Sequence, residues 1–208
     1  MLRRRPGVRR GLRRFAQPDA AQGHTSVSCS FGGLTGPTKF VSGGVMSYRL
    51  FSQQFGRFEA RIKNTATTAK GLQEAFWLWP DDRVKSTAVW PAAGEIDISE
   101  TYSSYPKLSI PFLHYSADIF GSRYGVNTAI NCAADRGVWN TYTLEWSASK
   151  IQIFVNNKLC LTNTSGDKAF LKPYIIALTQ GMGAKGNEYN TATPVPATMN
   201  VDYVKVWK

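Results

Sequence analysis

The chain has 208 residues, 43% hydrophobic and 12% aromatic, with 25 Lys and Arg against 14 Asp and Glu. This composition excludes a disordered chain, and no apolar run approaches the eighteen or so residues of a membrane-spanning helix. The net charge of +11 is local: residues 1–15, MLRRRPGVRRGLRRF, hold seven Arg and no acid, which leaves 18 − 14 = +4 for the rest.

A basic arm of this kind can meet nucleic acid or anionic lipid. No zinc-finger spacing, RNP-like strand or second basic cluster accompanies it, so no nucleic-acid partner is expected. Residues 1–24 read as an Arg-rich, disordered tail ahead of one domain over 25–208. The Arg pairs are followed by AQPDAAQG rather than an apolar run, so the tail is not a complete secretion signal.

In chain order, TSVSCSFGG (25–33) is weakly strand-like. FVSGGVMSYRLF (40–51) and FGRFEARIKN (55–64) are better strands, the latter alternating Phe58, Ala60 and Ile62 with charged residues. LQEAFWLWP (72–80) is dense enough to be buried on both faces. GEIDISETY (94–102), IPFLHYS (110–116), WNTYTLEWS (139–147) and KIQIFVNN (150–157) follow, with Asn156–Asn157 suited to a tight turn. YIIALTQG (174–181) and MNVDYVKVWK (199–208) close the series. No long amphipathic helix appears. Eight to ten short strands broken by turns predict an all-β sandwich or jelly roll. Cys132 and Cys160 can pair if their strands meet, leaving Cys29 free; buried structural thiols are the alternative.

GEIDISE (94–100) concentrates three acids in a chain short of them. On a strand, Glu95 and Asp97 share a face and Ile96 and Ile98 take the other. Strict alternation sends Glu100 to the core face, where a lone charge is costly. A β-bulge at Ile98–Ser99 returns it to the acidic face. Four strand steps then separate the outer Cα atoms by about 13 Å, and two inward-leaning Glu side chains close that to about 5 Å, the spacing of a retaining glycosidase. Crowded carboxylates split their pKa values, which supplies one ionised nucleophile and one proton donor. A calcium or magnesium site and a solvated acidic edge remain as other readings. The aromatics nearby (Trp77, Trp79, Trp90, Tyr102, Tyr105, His114, Tyr115) suit a sugar-binding cleft, although each Trp alone also suits a core.

EIDISE resembles the bulged, laminarinase-like E-x-D-x-x-E signature of glycoside hydrolase family 16. FGRFEARIK, AFWLWP, WPAAGEID, WNTYTLEWSASKIQIFVNN and MNVDYVKVW are similar to further family blocks, in the family's order, from about residue 40 to the end. The resemblance implies a jelly roll of two curved antiparallel sheets and retaining endo-hydrolysis of β-1,3 or β-1,3-1,4 bonds in a glucan. A glycan-binding module and a transglycosylase are the alternatives. It implies Glu95 as nucleophile, Asp97 as assisting acid and Glu100 as acid/base. Trp90, Trp77, His114, Tyr102 and Gln180 are expected to line the substrate. Asp202 on the last strand is implied as a ligand of a structural calcium, with no other cofactor required. A monomer acting on a polysaccharide outside the cell or at its surface is expected. The chain departs from the family in its Arg-rich start, which stands where one or two opening strands are usual. Gln73-Glu74 also replaces Trp-Pro, and LTQGMGAKG a Trp-containing run.

Overall fold

The computed structural model describes residues 27–31, 34–38, 40–84 and 88–208; the Arg-rich tail lies outside them. Among the described residues are thirteen strands in chain order: β1 (Val27–Phe31), β2 (Leu34–Thr38), β3 (Gly43–Met46), β4 (Gly56–Asn64), β5 (Leu72–Pro80), β6 (Glu95–Tyr102), β7 (Leu108–His114), β8 (Cys132–Ala133), β9 (Asn140–Trp146), β10 (Ile151–Val155), β11 (Lys158–Asn163), β12 (Tyr174–Met182) and β13 (Met199–Trp207). No helix among these residues is long and apolar enough to cross a membrane.

β1 and β2 form a hairpin of their own. The remaining strands form a five-stranded sheet, β11-β10-β9-β4-β13, and a six-stranded sheet, β3-β12-β5-β6-β7-β8. The expected all-β sandwich is therefore present. The core lies between the sheets: Phe58, Ile62, Leu144 and Ile153 from one meet Phe76, Leu78, Ile96, Ile98 and Leu113 from the other. Alternation explains the division, since each of these strands turns every second residue inward.

Two expectations change in detail. β5 is not buried on both faces. Leu72, Phe76 and Leu78 are in the core, whereas Gln73, Trp77 and Trp79 stand half open on the other face, with Trp79 37% exposed. The density of large side chains there reflects a wall of aromatics over the sheet rather than a second core. The strand expected over 40–51 is paired only over Gly43–Met46, and the chain turns at once, with Arg49 at φ 57°. Asn156 and Asn157 do make the tight turn between β10 and β11, at φ 50° and 64°. Cys132 and Cys160 are joined as a disulfide between β8 and β11 at a Cα separation of 5.4 Å, within the usual range.

Candidate active site

β6 lies inside the six-stranded sheet, between β5 and β7. Gly94 opens it at φ 95°, where a Cβ would run into the Tyr174 hydroxyl, so only glycine lets the chain enter the sheet here. The ladder with β5 pairs Trp77 with Asp97 and Phe76 with Ser99, leaving Ile98 as an extra residue; the ladder with β7 shifts between Asp97 and Glu100. This is the bulge at Ile98–Ser99 that charge burial requires. Ile98 and Ser99 both turn inward, Ile98 to the core and Ser99 to a 2.9 Å hydrogen bond with Ser109. Glu100 is thereby paired with Ala75 and Ile110 on the face that carries Glu95 and Asp97.

Each carboxylate has its own partners. Trp90 Nε1–H donates to Glu95 Oε2 at 2.7 Å. The Tyr102 hydroxyl and Gln73 Nε2–H both donate to Glu100 Oε1, at 2.7 and 2.9 Å. Two donors on Oε1 leave Oε2 as the oxygen free to carry a proton. In the same way, Oε1 of Glu95 is the free oxygen. Asp97, 4% exposed, faces His114 Nε2 at 3.4 Å, and His114 Nδ1 meets Asp118 Oδ2 at 2.5 Å. Asn127 donates to the other Asp118 oxygen at 3.0 Å. His114 is stacked on Phe112, ring centroids 4.3 Å apart, and lies 5.0 Å from the Trp90 ring.

No Lys or Arg among the described residues is ion-paired with Glu95, Asp97 or Glu100. Burial and the neighbouring Asp97 charge push Glu95 up to about 7, against the Trp90 hydrogen bond. Burial also raises Asp97 and Glu100, despite the His114 contact on one and the Tyr102 and Gln73 donors on the other. Burial pulls His114 down, but its hydrogen bonds to Asp97 and Asp118 outweigh it and lift the imidazole to about 9. At neutral pH His114 is therefore a cation held between two acids. The cluster retains protons that exposed carboxylates would have lost.

The structure brings together Glu95, Asp97, Glu100, Trp90, Tyr102 and His114. Trp77 is beside them, opposite Asp97, with its Nε1–H donated to Thr179 at 3.1 Å. Gln180 is not among them. Its register partner is Glu74, on the inward face of the sheet, so Gln180 is 7% exposed and turned away from the carboxylates. Asp202 is remote as well. Its carboxylate is bonded to Arg61 at 2.8 Å, and a guanidinium there does not fit a calcium cradle, which needs six or more oxygens. Ligand atoms of Glu95, Asp97 and His114 do lie within 4.8 Å of one another. Both His114 nitrogens are already committed to carboxylates, which fits a proton network better than a cation.

Sequence reasoning missed Asp118 and Asn127. Asp118 is four residues past His114, in a 3-10 turn over Ser116–Phe120 whose form no periodicity announces. It also gave no role to Gln73-Glu74. The pair divides between the faces: Gln73 serves Glu100, and Glu74 forms a buried two-pronged ion pair with Arg136 at 2.7 and 2.8 Å.

Comparison with known proteins identifies the family. The model of glycosyl hydrolases family 16 matches residues 19–205, a longer stretch than the blocks that carried the resemblance. The chain is 30% identical over 178 residues to a keratan-sulfate endo-1,4-beta-galactosidase of Sphingobacterium multivorum, covering 83% of this chain and 41% of that protein. It is 28% identical over 171 residues to a beta-glucanase of Rhodothermus marinus, covering 76% and 58%. The crystal structure of a non-specific endo-beta-1,3(4)-glucanase from family GH16 superposes with a TM-score of 0.70 at 27% identity, over 85% of this chain and 66% of that one. The chain thus spans two fifths to two thirds of the length of these relatives. With the family model matched over most of its length, on a two-sheet fold that aligns three carboxylates through a bulge, the chain belongs to glycosyl hydrolases family 16.

Proposed function

We propose that this chain is a retaining endo-β-glycanase that cuts internal β-1,3 or β-1,3-1,4 bonds of a glucan. The observation that carries the reading is the bulged strand: it sets Glu95 and Glu100 on one face, four register steps apart, with Asp97 between them. That arrangement suits double displacement. Glu95 Oε1 attacks the anomeric carbon while the glycosidic C–O bond breaks and Glu100 Oε2 gives its proton to the leaving oxygen. A glycosyl ester on Glu95 results. Water then attacks the same carbon, Glu100 takes the water's proton, and the ester bond breaks to free Glu95.

The partners divide the labour. Trp90 fixes Glu95 and favours its ionised form. Asp97 and the His114 cation shift charge and proton as Glu95 gains and loses its own charge. Burial holds the proton on Glu100, and Tyr102 and Gln73 fix which oxygen carries it. Trp77, Trp79 and Trp90 offer flat apolar faces for sugar rings.

The decisive assay measures reducing ends released from laminarin, mixed-linkage glucan, keratan sulfate, agarose and xyloglucan, with Glu95→Gln as control. Galactans belong in the panel because one relative is a galactosidase. Cleavage of one polymer, lost in the variant, with the β-anomer as first product by NMR, is the expected result. An α-anomer first product overturns the double displacement, and undiminished Glu95→Gln turnover overturns the assignment of the nucleophile.

A further inference from the structure

A cavity of about 330 Å³ opens beside the residues that hold Glu100. Gln73 and Tyr102, the two residues that hold Glu100, form its near wall; Tyr105, Ser104 and Lys185 are on the far side. The volume is at the small end for ligand sites and suits one sugar unit or its substituent.

The far wall is held rigidly. Asn187, 2% exposed, accepts from the backbone N–H groups of Gly71 and Ser104 at 3.1 and 2.9 Å and donates to the Leu72 carbonyl at 2.8 Å. It ties the 183–187 turn to the start of β5 and to the turn after β6. The fit is close enough that a Cβ on Gly183 would collide with Asn187. Lys185 is on this turn at φ 47°, a conformation that side chains other than Gly, Asn and Asp rarely adopt.

The cavity is lined by an ammonium and by hydroxyls that can donate, and by no carboxylate. Lys185 is the one charged residue of its lining and makes no hydrogen bond or ion pair with any described residue. The nearby Glu188 is engaged instead by Lys70 at 3.4 Å and by the Gly186 N–H at 2.7 Å. Ser104 Oγ is buried without a partner and closed to the cavity, so it is no part of the binding surface. Glu100 borders the cavity only through Gln73 and Tyr102, which already occupy its Oε1.

We propose that this cavity is a subsite for an acidic substituent, a sulfate ester or a carboxylate, on the sugar that abuts Glu100. The substrate class is then an anionic β-glycan. The inference rests on the glycanase reading above and specifies what that site accepts. The Lys185 ammonium, with the Tyr105 hydroxyl beside it in a pocket lined by no other charged residue, recognises an oxyanion by charge-assisted hydrogen bonds.

The test compares laminarin oligosaccharides in three forms: neutral, chemically sulfated, and oxidised at C6 to the carboxylate. Binding is measured by calorimetry and cleavage by reducing ends, for wild type, Lys185→Gln, Lys185→Arg and Lys205→Gln. The expected result is that one anionic form binds about tenfold more tightly than the neutral form. Lys185→Gln should bring that ratio near one, and Lys185→Arg should restore it. Whether the sulfated or the oxidised form gains identifies the substituent. An anionic-to-neutral ratio near one in wild type overturns the proposal. So does a ratio that Lys185→Gln leaves intact, or that Lys205→Gln on the far sheet lowers equally, since the last is a field effect of the whole chain. Absence of cleavage with the binding ratio intact would overturn hydrolysis of β-1,3-glucan and leave the subsite standing.

Discussion

Two sets of buried acids lie on opposite faces of one sheet. Glu74 turns inward and receives a guanidinium, the Thr101 hydroxyl and near-complete enclosure; Glu74 and Arg136 side chains are 1% and 3% exposed. Glu95, Asp97 and Glu100 turn outward, Asp97 buried and the two Glu half-buried, and receive Trp, Tyr and Gln donors and one imidazole instead of an arginine. The difference is what each arrangement does with a proton. A bidentate arginine locks a carboxylate as an anion and makes it a structural joint. Neutral donors and a shared histidine leave protonation adjustable, as acid–base work requires. The first set contributes to holding the sheets together. The second costs stability, because burial works against its charge.

The sharpest way to break the contrast is Glu95→Gln. We expect turnover to be abolished in a reducing-end assay and the melting point at pH 8 to rise. Removing a buried charge that burial disfavours should stabilise by about 1–3 kcal/mol, or several degrees for a domain of this size. The next largest effect is on the other face. Arg136→Ala should cost about 3–5 kcal/mol in chemical denaturation by stranding Glu74, while the double variant Glu74→Leu with Arg136→Met should recover most of it.

The pH dependence follows from the directions of the shifts. Glu95 is raised in the fold from its ordinary 4.5 to about 7, so its stabilising contribution is complete below about 4.5 and lost as pH rises through 7. His114 is raised from 6.5 to about 9, so its contribution is complete below about 6.5 and lost as pH rises through 9. Melting points of wild type and Glu95→Gln should coincide near pH 4 and separate by pH 8, the variant being higher. A constant offset across that range would contradict the assignment. The smallest expected effect is that of Tyr102→Phe. Losing one donor to Glu100 should raise its pKa further and move the alkaline limb of the kcat–pH profile upward by about one unit or less, with kcat reduced less than tenfold.

Much of this was legible in the sequence because it is local. Period-two alternation locates the strands around the site, and the cost of burying Glu100 implies the bulge. The Asn pair announced its own turn, since both residues tolerate positive φ. What escaped was set by register or by distance along the chain. Gln180 lies outside the cleft because its partner on β5 is Glu74, and no pattern within β12 fixes that parity. Arg136 meets Glu74 across 62 residues, and Arg61 takes Asp202 across 141. Strand β2, with a proline inside it, and the two-residue β8 carry too little alternation to be seen. The Asp118 carboxylate was hidden for a related reason: a five-residue 3-10 turn leaves almost no periodic trace.

The bulge also makes β6 tolerant of a particular editing error. Along a regular strand, removing a single residue reverses every face beyond the cut. Here Ile98 and Ser99 already share a face, so losing either one leaves Glu95, Asp97 and Glu100 on the same side in a plain two-residue rhythm. Deleting a residue from the Thr101–Tyr102 end, or inserting one between Glu95 and Asp97, has no such refuge. The same strand therefore admits two lengths between its outer acids, and a one-residue deletion scan along β6 should show a single permissive position pair at the bulge.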